Sequence, residues 1–309
     1  MSRQVNGLAD KNDIAAKFAE HFAESCSPNC DMRNAQLKAD YEAMKPKYVG
    51  LPYSDDHAFD VHLVDKIITE LKRNKAAGLD NLTAEHLKFS HPIVVSVMCK
   101  IFNIMISYGY FPASFGRSYT IPLPKGNAIL GKTLMVDNFR GISISPVLSK
   151  IFEHCILDRF SSFLATSDNQ FGFKKGWSCS HAIYSIRSVI DECVAEGSTV
   201  NVCALDLSKV FDRMNDFSLF LKLINRNTLI NLLAVIEKWF AISVTCFKWG
   251  ERMSNFCNLV SGVQQGDVLS PSLFAINVDD IAKKIISRGI DCHMSFICTG
   301  IFLYADEYS

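Results

Sequence analysis

Apolar residues recur at helical spacing along much of this chain and alternate along a few short runs. The switch between the two periods divides it into elements. Ile14, Phe18 and Phe22, four apart, predict a helix over residues 12–26, and the stretch after it, with Pro28, Pro46 and Pro52, reads as an irregular linker. Asp60 can cap a helix over 61–75 whose Val64, Ile67, Ile68 and Leu71 share one face. Thr83 opens another helix, and a third follows Pro92 and stops at Gly109. Beyond Pro112 the period shortens. Tyr119–Leu123 alternates like a strand, Pro124-Lys125-Gly126-Asn127 turns, and a second strand begins at Phe139. Leu148, Ile151, Phe152 and Cys155 then mark a helix, with further helices over 181–195, 217–224, 229–240 and 271–286. Thr199–Leu205 reads as the clearest buried strand, Val244–Trp249 and Asn255–Val260 as strands paired across the Gly250 turn, and Ile301–Tyr304 as a last strand.

Composition adds little to this picture and excludes some classes. The 309 residues are ample for a sizeable core, and 49% hydrophobic with 21% charged residues is ordinary for a globular protein. The N-terminus is polar, and no uninterrupted apolar run reaches the roughly 18 residues of a membrane span. The expectation is an intracellular protein with no membrane association. Eleven cysteines are dispersed through apolar settings, as free thiols in a reducing compartment are. Cys26 and Cys30 form the one close pair, and no second Cys/His pair follows at finger spacing, so no zinc site is expected.

Net charge is zero, but unevenly spread: −3 over residues 1–60, +7 over 61–190 and −4 over 191–309. A basic middle beside an acidic last third suits a polyanion held next to a metal site, and uneven solvated charge gives the same sums. Asp206 and Asp306 each end an apolar run, so each carboxylate is expected to emerge from a hydrophobic sheet. Nucleotide polymerisation needs carboxylates fixed on rigid elements to hold two divalent ions. Turn aspartates at strand ends are equally ordinary, and two positions alone do not separate the readings.

Six ordered segments decide between them. LDLSKVFDRMN (205–215), VSGVQQGDVLSPSLFAINVDDI (260–281) and YADE (304–307) resemble the catalytic, substrate-positioning and metal-turn segments of reverse transcriptases from non-LTR (LINE-type) retrotransposons. KAAGLDNLTAEHLK (75–88), NFRGISISPVLSKIFEHCILDRF (138–160) and DNQFGFKKGWSCSHAI (168–183) are similar to upstream segments of the same family. The resemblance implies an α+β, right-hand polymerase fold: fingers and an incomplete palm, an antiparallel sheet packed on helices, and no thumb. Residues 1–60 would join the polymerase to an endonuclease that is not part of this chain, 61–198 would form fingers with interleaved palm helices, and 199–309 the palm.

The same resemblance assigns roles. Asp206, with the Leu207 carbonyl, and Asp306 would hold two Mg²⁺ ions (Mn²⁺ as a substitute), with Glu307 beside them. Asp206 and Asp306 are expected on neighbouring strands within reach of one ion. Phe211 resembles the aromatic gate that excludes a ribose 2′-hydroxyl, although spacing alone does not separate it from a core phenylalanine. Gln265 and Gly266 resemble the pair that meets the incoming base and sugar. Lys125 and Arg140 resemble two cations laid against the triphosphate on a fingers hairpin, facing Asp206. The substrates would be an RNA template, a DNA primer and deoxynucleoside triphosphates, in the nucleus and cytoplasm of a retrotransposon's host. Five positions depart from the family pattern: Gly141 and Gln264 stand for prolines, Asp267 for a serine, Lys174 for an arginine and Glu307 for an aspartate. Asp267 is expected to add negative charge near the nucleotide. Because the chain stops three residues after Asp306, it is also expected to be a truncated copy that does not polymerise, with a non-catalytic nucleic-acid-binding remnant or an inert fragment as the alternative.

Overall fold

The computed structural model describes residues 4–26, 31–125, 134–174, 176–205, 211–288, 293–294, 297–298 and 300–304. Contacts divide the chain into two compact units, residues 1–163 with 211–270, and residues 164–210 with 271–309. This division follows packing and cuts the chain elsewhere than the expected boundaries after residues 60 and 198.

The first unit is built on a mixed sheet. Strand β1 (Arg117–Pro124) pairs antiparallel with β2 (Phe139–Ile144), Tyr119 opposite Ile144 and Leu123 opposite Arg140. On its other side β1 runs parallel to β3 (Val244–Trp249), with Arg117 opposite Val244. Strands β4 (Arg252–Met253) and β5 (Cys257–Asn258) both return antiparallel on β3, the first across Gly250. The expected antiparallel sheet is therefore corrected to a mixed one. More than a hundred residues separate β1 from β3, and a crossover that long can re-enter from the same end, which a hairpin cannot.

Helix α1 (Lys11–Ser25) starts where Asp10 accepts the Asn12 and Asp13 N–H groups, and it lies across one face of this sheet. Its four-residue apolar spacing does the covering. Phe18 meets the Phe139 ring edge-on at 5.0 Å and Phe22 stacks on Phe247 at 5.0 Å. Val5, Ile14, Phe18, Val136, Phe139 and Phe247 form one buried cluster. The N-terminal segment is thus integral to the sheet's core. The stretch after α1, expected to be irregular, contains helix α2 (Asp31–Met44), whose Tyr41 is buried against Phe217 and Phe220. The prolines that suggested a linker bracket this helix instead of interrupting it.

The rest of the first unit is helical. Asp60 accepts the Leu63 N–H at 2.8 Å and caps α3 (Val61–Glu70), which buries Val64, Ile67 and Ile68 against α5 (Ile93–Ser107) and α6 (Val147–Arg159). The short helix α4 (Ala84–Lys88) lies between α3 and α5 in the chain. Phe102 and Phe152 join α5 to α6 with ring centroids 5.2 Å apart. Helix α7 (Ser161–Leu164) follows α6, and α9 (Asp216–Asn225) and α10 (Ile230–Ile242) complete the layer.

The second unit contains α8 (Cys179–Ala195), most of α11 (Ser270–Ser287) and a hairpin of β6 (His293–Met294) with β7 (Ile297–Cys298). Asp279 of α11 is fully buried, accepts the Ser167 N–H at 2.8 Å and pairs with Lys283. Two expected strands are corrected here. Residues 200–205 are not a strand, and Asn201–Leu205 are exposed, because an apolar run becomes a buried strand only beside a ladder partner and none pairs with it among the described residues. The last expected strand is reduced to one parallel bridge, Leu303 with Gln170, flanked by Phe171 N–H donating to Leu303 O and Leu303 N–H donating to Asn169 O, each at 2.8 Å.

Candidate nucleotide site

Arg140 lies in β2 directly opposite Leu123, and Lys125 follows β1 by one residue, its N–H donating to Asn138 O at 2.8 Å. Side chains alternate along a strand and share a face with their cross-strand partners. Leu123 and Arg140 therefore share one face of the hairpin, and Lys125 stands at the end of β1, hydrogen-bonded to Asn138. Phe139, Gly141 and Ser143 occupy the other face, beneath α1. Lys125 is exposed and Arg140 half-buried.

The segment 261–269 docks on this hairpin. Gln265 O accepts the Ser143 N–H at 2.7 Å, three residues along β2 from Arg140, a separation of about 10 Å at strand rise. Gly266 follows with φ +127°, and a Cβ there would stand 2.3 Å from Ser143 O. Only glycine accepts both that backbone angle and that approach. Upstream, Val263 N–H donates to Phe211 O at 2.9 Å, and Asp216 accepts the Gly262 N–H at 3.1 Å. Phe211 itself is buried. Burial pushes the Asp216 carboxyl up to about 7, and the Gly262 N–H opposes that shift. One segment thus touches Phe211 at one end and the Arg140 strand at the other, all within the first unit.

Two departures from the family pattern have packing explanations on the α1 side of the sheet. A Cβ on Gly141 would lie 2.8 Å from Thr120 Cγ2 and 3.1 Å from the Phe22 ring, so this position has no room for proline once α1 is in place. Gln264 is buried beside a cavity of about 30 Å³, and its Oε1 has no hydrogen-bond partner among the described residues. That space suits a single water molecule. In the second unit Lys174 donates to Thr166 O and Ser167 O at 3.2 and 2.5 Å, closing the loop before it.

Asp267 behaves differently from its expectation. It is buried, Ser145 donates its hydroxyl to the carboxylate, and it faces Glu153 of α6. Glu153 is fully buried and accepts the Val268 and Leu269 N–H groups at 2.8 and 3.0 Å and the Ser149 hydroxyl at 3.1 Å. Burial, then the Asp267 charge, pushes Glu153 up to about 8, and burial pushes Asp267 up to about 6. The two carboxyls are buried together, and the Asp267 charge further disfavours ionisation of Glu153. Glu153 lies inside the family-like segment 138–160, where no role attaches to it. Its mark in the sequence is a carboxylate at apolar-face spacing, between Phe152 and Ile156.

Asp206, Leu207, Asp306 and Glu307 lie outside the described residues, as does the direction from Lys125 and Arg140 to Asp206. Among the described residues no group of three or more His, Cys, Asp or Glu could hold a metal ion, and no helix is long and apolar enough to cross a membrane.

Comparison with known proteins gives this arrangement its context. Residues 123–308, well over half of the chain, match the family model for reverse transcriptase (RNA-dependent DNA polymerase). The RNA-directed DNA polymerase from mobile element jockey of Drosophila melanogaster is 27% identical over 272 residues, 85% of this chain and 28% of that protein. The probable RNA-directed DNA polymerase from transposon X-element of the same species is 24% identical over 290 residues, 91% of this chain and 31% of that protein. The Pol polyprotein from type-2 retrotransposable element R2DM of that species is 23% identical over 234 residues, 76% of this chain and 21% of that protein. This chain therefore spans less than a third of each of these relatives. The match over residues 123–308, together with these relatives, makes this chain a member of the reverse transcriptase family, of the type found in non-LTR retrotransposons.

Proposed function

We propose that this chain is the RNA-directed DNA polymerase region of a non-LTR retrotransposon and adds deoxynucleotides to a primer on an RNA template. Lys125 and Arg140 hold the triphosphate, Phe211 lies under the sugar, and Gln265 with Gly266 meets the base and sugar. Asp206, the Leu207 carbonyl and Asp306, with Glu307 beside them, would hold two Mg²⁺ ions, which supply Lewis-acid charge when bound. In this reading the β1–β2 hairpin belongs to the fingers, and 199–309 to the palm. The primer 3′-hydroxyl gives its proton to water, its oxygen bonds to the α-phosphorus, the bond to the β-phosphate breaks, and Lys125 and Arg140 balance the charge of the departing pyrophosphate.

One observation carries this reading. One hairpin carries Arg140 in β2 and Lys125 at the end of β1, and the Gln265–Gly266 loop is bonded to β2 three residues from Arg140. An arginine fork and a lysine point charge are groups that bind phosphate oxygens.

The test is extension of a primed RNA template with Mg²⁺. Asp206→Asn is expected to abolish extension, and Arg140→Ala and Lys125→Ala to raise the KM for deoxynucleotides by about tenfold or more. Phe211→Val is expected to admit ribonucleotides. Extension that survives Asp206→Asn, or a KM unmoved in both cation variants, would overturn the assignment. Salt-dependent RNA binding without extension would identify a nucleic-acid-binding chain without catalysis.

A further inference from the structure

Helix α5 has two apolar sides, one covered and one not, separated on one flank by Ser96, Lys100, Asn103 and Ser107. Val95, Met98, Cys99, Phe102, Met105 and Ile106 are buried. On the opposite side Ile93, Val97, Ile101, Ile104 and Tyr108 are exposed to 58%, 48%, 47%, 57% and 81%. At 100° per residue these five fall within about 80° of the helix surface and form one stripe along its length. Lys100, at the edge of the stripe, is the one charged residue in α5. Scattered apolar residues on a surface need no explanation, but a continuous stripe does.

The spacing of the stripe says what fits it. Ile93 and Tyr108, Val97 and Ile104, and Lys100 and Ile101 lie at equal distances either side of the Lys100–Ile101 peptide bond. A stripe with that symmetry is self-complementary when two copies meet antiparallel about a two-fold axis, because residue i then meets j while j meets i. We propose that α5 is a homodimer interface, two copies packing antiparallel with Val97 against the second copy's Ile104 and Ile93 against its Tyr108.

The area is sufficient. The five exposed side chains offer on the order of 500 Å² per copy, or about 1,000 Å² for the pair, the level a specific interface needs to clear. Nucleic acid does not suit this surface, because one lysine offers too little charge for a phosphate backbone. The two Lys100 side chains sit at the edges of the pairing, where long stems let their charges reach water.

Sedimentation of the full chain between about 1 and 100 µM tests the proposal, since an interface of this size is expected to associate in that range. The expected result is a doubling of mass across that range. Val97→Glu/Ile104→Glu is expected to remain a single chain throughout, with the far-UV circular dichroism of the parent because both positions are exposed. Register is read separately. A Val97→Cys chain mixed with an Ile104→Cys chain and oxidised is expected to cross-link, while either alone does not exceed the parent, whose own exposed Cys203 sets the background. A single chain at every concentration, a dimer that survives the double glutamate variant, assembly beyond two copies, or cross-linking of Val97→Cys alone would each overturn the proposal.

Discussion

Glu153 offers the most direct test of how the 261–269 segment is held. Its carboxylate is the acceptor for two successive N–H groups just beyond Gly266, and it is buried against Asp267. Burial raises its pKa from 4.5 to about 8. A carboxyl raised on folding holds a proton that the unfolded chain has released, so stability is fully present below the unfolded pKa and falls as pH rises toward the folded one. At about 1.4 kcal/mol per unit, the loss attached to Glu153 between pH 4.5 and 8 is at most about 5 kcal/mol. Glutamine keeps the acceptor oxygen for the loop and offers its amide to Asp267, without a proton to lose. Alanine leaves both N–H groups buried without an acceptor, a cost of about 1–3 kcal/mol each. Urea unfolding followed by circular dichroism on the acidic and alkaline sides of this range resolves the three cases. Glu153→Gln is expected to match the parent in acid and to exceed its stability by about 2–4 kcal/mol in alkali, while Glu153→Ala is less stable than the parent in acid by about 2–5 kcal/mol. Parallel pH profiles for the parent and Glu153→Gln would refute the raised-carboxyl account. An alanine variant within about 0.5 kcal/mol of the parent in acid would refute the loop-anchoring one.

Three further substitutions probe the supports around the site. Gly262→Ala places a Cβ 2.3 Å from Phe211 O at φ +87° and is expected to cost about 3 kcal/mol or more in the same unfolding assay. Full retention of stability would show that the loop is not pressed onto that carbonyl. Phe18→Ala removes a fully buried ring from the α1–sheet cluster and is expected to cost about 3–5 kcal/mol, whereas a terminal segment merely resting on the surface would lose under 1. Asp60→Ala removes the α3 cap and a 2.8 Å pair with Arg159, an expected loss of about 1–2 kcal/mol. The Leu63 N–H, then Arg159, holds the Asp60 pKa down, so this difference should vanish on acidification, and its persistence in strong acid would count against the cap.

Much of this molecule is legible along the chain because helices, caps and turns are local. The spacing of Ile14, Phe18 and Phe22 predicts both a helix and its buried side, Asp60 caps where a cap is expected, and the strand–turn–strand pattern of 119–144 becomes the β1–β2 hairpin. The ordered segments from Lys75 onward point to the family without any coordinates. What the sequence leaves open is long-range. Whether β3 runs parallel or antiparallel to β1 depends on the path of the chain between them, which no local period records. Thr199–Leu205 has the composition of a buried strand, but composition cannot supply the ladder partner that makes one. The prolines around α2 read as interruptions until Tyr41 finds Phe217 and Phe220. Asp267 in isolation is one more negative charge. Only when α6 brings Glu153 against it in the buried interior are both carboxyls pushed up together. Local propensity is a property of neighbouring residues, whereas ladder direction, burial and raised carboxyls belong to residues that the fold brings together from distant parts of the chain.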